Sequence, residues 1–76
     1  MKEIDEFMAV YDAASGSRPL YMSLKQIETG IPRWRLQVFE KDTATIGGDM
    51  LLLCVEKPTE EECLREGTEK LRKLFK

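Results

Sequence analysis

Seventy-six residues leave room for one hydrophobic core, and a chain of this size hides only about 60% of its unfolded surface, so its stability is marginal. With 42% hydrophobic and 34% charged residues the composition is that of a globular domain, and a formal charge of −2 argues against a protein that coats nucleic acid indiscriminately. Histidine is absent, which removes the commonest general base and the commonest metal ligand.

The first segment spaces Ile4, Phe7, Met8 and Tyr11 at i, i+3, i+4 and i+7. That spacing predicts a helix over about residues 2–14 with four apolar groups on one face. Ser15, Gly16 and Ser17 supply the stop, and Pro19 cannot continue the helix. From Leu20 to Ile27, Leu20, Met22 and Leu24 alternate with Tyr21, Ser23 and Lys25, as in a strand with one buried face. A turn is expected over residues 29–32. Arg33 to Glu40 then alternates Trp34, Leu36 and Val38 with Arg33, Arg35 and Gln37, which predicts a second strand paired to the first as a hairpin.

Residues 42–49 read as a turn or long hairpin loop. Met50 to Val55 is continuously apolar and short, so a third strand is expected, either central in the sheet or marking an interface. Pro58, Thr59 and Glu62 announce a last helix, with Thr59 as the cap, Glu62 completing the capping box, and Glu60 and Glu61 at the positive end of the dipole. Cys63, Leu64, Gly67, Leu71, Leu74 and Phe75 form its apolar stripe. Three pairs, Glu61 with Arg65, Glu66 with Lys70 and Glu69 with Lys73, sit at the favourable i, i+4 spacing. Gly67 within the stripe fits either a close approach to a neighbouring element or neutral drift. The order predicts an α+β domain over residues 1–76, α-β-β-β-α, with a three-stranded antiparallel sheet and both helices packed on one face.

Catalytic chemistry finds no support in this pattern, and no enzyme, cofactor or metal site is expected. Cys63 lies in the first turn of the last helix, where amide dipoles favour a thiolate, but Glu60, Glu61 and Glu62 surround it and no histidine serves as a base. Cys63 and Cys54 are read as reduced structural thiols. The Ile46-Gly47-Gly48-Asp49 run lacks the trailing Lys and Ser/Thr of a phosphate loop. No apolar run approaches a membrane span, and an acidic start does not resemble a signal peptide, so a cytoplasmic protein without a membrane partner is expected.

Charge is uneven along the chain. Residues 1–17 carry four acidic groups against one basic, whereas residues 18–41 carry five basic against two acidic. Opposite the inward residues of the first two strands stand Tyr21, Ser23, Lys25, Arg33, Arg35, Gln37 and Phe39. That mixture suits phosphates through its cations and bases through its rings. The leading expectation is therefore an RNA-associated binding subunit using Lys25, Arg33, Arg35, Tyr21 and Gln37. The alternative is a protein–protein module or small inhibitor that dimerises or docks through its sheet, with Phe39, Leu51, Leu53 and Val55 at the interface.

Asp5-Glu6-Phe7, Tyr21-Met22-Ser23-Leu24-Lys25, Trp34-Arg35-Leu36-Gln37-Val38 and Asp49-Met50-Leu51-Leu52-Leu53-Cys54-Val55 together resemble the small proteins of the Alu domain of the signal recognition particle. The resemblance implies a heterodimer of two such folds whose joined sheets form a concave surface for folded RNA backbone, with Lys25, Arg33 and Arg35 as phosphate contacts. It implies structured RNA and not DNA as the nucleic-acid partner. That family is markedly basic and this chain is acidic. The double-stranded-RNA-binding domain shares the element order, but its lysine-rich start to the last helix is here Thr59-Glu60-Glu61-Glu62, which repels phosphate.

Overall fold

The computed structural model describes residues 2–41 and 48–75. Its elements run α1 (Lys2–Ser15), β1 (Leu20–Thr29), β2 (Ile31–Glu40), β3 (Met50–Lys57) and α2 (Glu60–Leu74). The sheet is antiparallel with strand order β1-β2-β3, so β2 is central and β3, for all its apolar character, is an edge. The expected α+β architecture is present.

Local chemistry accounts for each boundary. Gly16 ends α1 at φ +50°, and its N–H donates to the carbonyl of Asp12 at 3.3 Å. The β1–β2 turn is tighter than the four residues expected. Thr29 already pairs with Ile31, leaving Gly30 alone at the apex at φ +87°, a backbone conformation that glycine adopts without the Cβ penalty. Thr59 caps α2 as expected, its hydroxyl accepting from the Glu62 N–H at 3.3 Å. The loop expected over residues 42–49 falls mostly outside the described residues.

The core lies between the sheet and the two helices. Phe7 from α1, Leu36 and Val38 from β2, Leu53 and Val55 from β3, and Cys63, Leu64 and Leu71 from α2 are buried together. Burial of each such aliphatic or aromatic side chain stabilises the fold by about 1.5–3 kcal/mol relative to exposure. Ile4, Met8, Tyr11, Met22, Leu24 and Trp34 pack around them as half-buried neighbours. Leu74, expected in the buried stripe, is half exposed and lies at the flank of α2 beside Leu52 and Leu53. Cys63 is a core residue whose S–H donates to the carbonyl of Trp34 at 3.0 Å, and burial raises its pKa. Neither cysteine is in a disulfide.

Two of the three expected i, i+4 pairs give way to tertiary partners. Glu69 and Lys73 approach at 4.0 Å, but Glu66 reaches Lys57 at 3.2 Å and Arg65 reaches Glu3 of α1 at 3.6 Å. Arg72 also joins α1, contacting Glu6 at 2.7 Å. The charge ladder thus ties α2 to β3 and α1 rather than merely solvating its outer face. These are exposed pairs, each worth about 0–1 kcal/mol.

Candidate functional site

With both helices on one face, the opposite face of the sheet is open among the described residues, and strand register decides what it presents. β1 and β2 pair Tyr21 with Phe39, Ser23 with Gln37, Lys25 with Arg35, and Ile27 with Arg33. β2 and β3 add Cys54 beside Gln37 and Glu56 beside Arg35. Alternation puts every one of these side chains on the side away from Leu36 and Val38. All five residues expected to contact RNA, namely Tyr21, Lys25, Arg33, Arg35 and Gln37, therefore stand on one surface.

A bulge decides the far end of that surface. Val38 pairs with Leu53 and Phe39 with Leu51, so Leu52 is an extra residue and the alternation of β3 inverts across it. Leu51 consequently lands on the open face beside Phe39 and is 48% exposed. Leu53 and Val55, expected with Leu51 at an interface, instead point into the core opposite Val38 and Leu36 and are 7% and 2% exposed. Of the four side chains expected to meet a partner, only Phe39 and Leu51 are on the open face.

The apolar end of the face is ordered. Tyr21 and Phe39 stack with ring centroids 5.1 Å apart and planes 18° from parallel. The Tyr21 hydroxyl donates to Asp49, and that hydrogen bond, ahead of partial burial and the carboxylate charge, raises the phenol pKa. Tyr21 is thereby held at its polar end and remains partly exposed.

The cationic centre is partly neutralised. Arg35 holds Glu56 through Nη2 at 3.0 Å and Nε at 3.1 Å, both to the same carboxylate oxygen, and Arg33 donates from Nη2 to the Glu56 carbonyl at 3.3 Å. Glu56 was not among the residues expected to matter. Its place beside Arg35 follows from the β2–β3 register and from the extension of β3 to Lys57, neither of which the sequence alone supplies. Lys25 is exposed, and no salt bridge among the described residues engages it. Ile31, 74% exposed beside the Gly30 turn, adds an apolar tip at the other end of the hairpin.

Among the described residues no cluster of Asp, Glu and Cys has the arrangement of a metal site, and no helix is long and apolar enough to cross a membrane. No protein-family model matches the chain, and neither does a curated protein or a solved structure.

Proposed function

We propose that this chain is a non-enzymatic binding subunit that docks a protein partner through the open face of its sheet. The observation that carries this reading is the stacked Tyr21–Phe39 pair continuing into exposed Leu51, an apolar and aromatic patch on the same face as Arg35, which is already supplied with the Glu56 carboxylate. Tyr, Phe, Met and Arg are the side chains enriched where proteins meet, and exposed apolar patches on a sheet mark such contacts. Phosphate recognition, by contrast, needs guanidinium groups whose donors are available, and Arg35 gives two of its donors to Glu56. Lys25 and Arg33 remain as the charges that orient an acidic rim on the partner.

A second reading has its own observation. Lys25, Arg33 and Arg35 occupy adjoining positions on the face that also carries the Tyr21 and Phe39 rings, one cross-strand pair away, and cations with rings on one face are what a single-stranded or looped RNA uses. The Alu-domain likeness supports this reading only through the shared order of elements.

Sedimentation of the purified chain with a structured RNA hairpin at about 50 and 200 mM salt separates the two, because counterion release makes phosphate contacts fall steeply with salt. The protein-docking reading expects no RNA uptake at either salt. Uptake at low salt that is lost on raising it, and abolished by Arg33→Glu, overturns that reading in favour of RNA.

A further inference from the structure

Among the described residues no strand pairs with the outer edge of β3, and this free edge is a second surface, separate from the open face. An edge strand presents unpaired backbone N–H and C=O groups, and folded proteins blunt such edges with charges, prolines, bulges or a covering element. The two edges of this sheet are treated differently. β1 carries Lys25, Gln26 and Glu28 along its length and is preceded by Arg18 and Pro19. β3 reads Met50-Leu51-Leu52-Leu53-Cys54-Val55 before its first charge, with only the bulge at Leu52 to interrupt it. The regular stretch after that bulge is Leu53–Lys57.

Beside this edge runs a shallow groove between Leu52, Leu53 and Cys54 on one side and Lys70, Lys73 and Leu74 of α2 on the other. The half-exposed Leu74 lies there. The chain reverses at Pro58–Thr59, so α2 runs antiparallel to β3. Its acidic half stands over the Lys57 end, where Glu66 meets Lys57, and its basic half over the Leu52–Cys54 end. Glu62, Glu66, Lys70 and Lys73 recur at three- and four-residue spacing, a single stripe of α2 that changes sign along its length.

A strand edge is matched by any extended backbone, but a stripe that turns from acidic to basic is matched by its own reverse. We propose that the free edge of β3 pairs antiparallel with β3 of a second copy of this chain, across a two-fold axis through Val55, the middle of the regular stretch. The operation joins two three-stranded sheets into one and sets the Glu66 region of each α2 beside the Lys73 region of the other. Such a contact is isologous and closes on itself, which consumes the exposed edge instead of propagating it. It also supplies the additional burial that a chain of 76 residues lacks.

Sedimentation equilibrium on the full chain, with a short bismaleimide as cross-linker, tests this. Cys54 is the exposed thiol and Cys63 is buried, and the proposed register brings the two Cys54 residues within about 10 Å, so a covalent dimer through Cys54 is expected. Lys73→Glu is expected to raise the dimer dissociation constant about tenfold, and adding Glu66→Lys to restore it to within roughly threefold, since the pair then faces itself with reversed sign. Far-UV circular dichroism and melting of each variant show that the fold is kept. Phe39→Glu, on the open face, leaves the dimer intact. A chain that sediments as a monomer at about 0.5 mM, where contacts weaker than the millimolar range go unpopulated, overturns the proposal while leaving the open-face reading standing. So does a dimer indifferent to Lys73→Glu and refractory to cross-linking at Cys54.

Discussion

Gly67 of α2 lies directly against the side chain of Leu36 in the central strand. A Cβ built at Gly67 meets Leu36 Cδ2 in hard overlap and the Phe7 ring at 3.2 Å, so the absent side chain is what lets α2 close on both β2 and α1. Leu36 and Phe7 are fully buried, so neither can make room by turning into solvent.

Gly67→Ala therefore lowers stability even though alanine is the better helix former by about 1 kcal/mol. Overpacking of a filled core costs about 1–3 kcal/mol, and the net expected loss of up to about 2 kcal/mol corresponds to a fall in Tm of up to roughly 15 °C for a domain of this length. Denaturant titration checks it. A gain of stability equal to the helix-propensity difference shows that α2 does not approach the sheet this closely.

The two thiols separate by reactivity. A thiol reagent titrates one cysteine in the native chain, exposed Cys54, and both in denaturant, because Cys63 is enclosed between α2 and the sheet. Fast labelling of two thiols without denaturant contradicts the buried placement of Cys63.

Cys63 also gives stability a pH dependence. Burial, as the largest cause, pushes its thiol above the ordinary value of 9.0, so the folded chain holds this proton at pH values where the unfolded chain has released it. Stability from this group is complete below the unfolded pKa and falls as pH rises through and beyond about 9. Tyr11, raised chiefly by burial, adds to the fall above about 10. Denaturation midpoints from pH 7 to pH 10 are expected to decline for the wild type and to decline less for Cys63→Ala, whose own stability at pH 7 is lower. An identical slope in both removes Cys63 as the source.

Glu56→Gln releases Arg35 on the open face. An exposed pair of this kind contributes about 0–1 kcal/mol, so the melt is expected to shift by only a few degrees. The consequence is at the surface, where weak, salt-sensitive RNA binding is expected to appear in the variant at low salt. Electrophoretic mobility shift with an RNA hairpin reads it. Unchanged affinity in wild type and variant shows that Glu56 is not what holds the arginine back.

How far the sequence carries can be judged residue by residue. The face of Ile4, Phe7, Met8 and Tyr11, the alternation through Leu36 and Val38, and the Thr59 cap each depend on neighbours within one turn or one strand, and each is found where expected. What was not legible depends on pairing between strands. The bulge at Leu52 inverts the alternation of β3, which leaves Leu51 outside and sends Leu53 and Val55 inside. The neutralising Glu56 reaches Arg35 only because the β2–β3 register sets them side by side. In the same way Glu66 and Arg65 leave their i, i+4 partners for Lys57 and Glu3, positions that only tertiary packing brings near. The edge position of β3 follows from strand order, which a continuous apolar run does not encode.

The claim on which the functional account rests is that the Tyr21–Phe39–Leu51 end of the open face is where a partner protein sits. Quantitative capture from nuclease-treated extract of the source cells, comparing wild type with Phe39→Glu and with Glu61→Lys on the helix side, tests it most directly. The expected result is a specific set of proteins retained by wild type and by Glu61→Lys but lost with Phe39→Glu, while all three chains melt alike within a few degrees. Retention that survives Phe39→Glu, or that is found only in a parallel extract left without nuclease, contradicts the account.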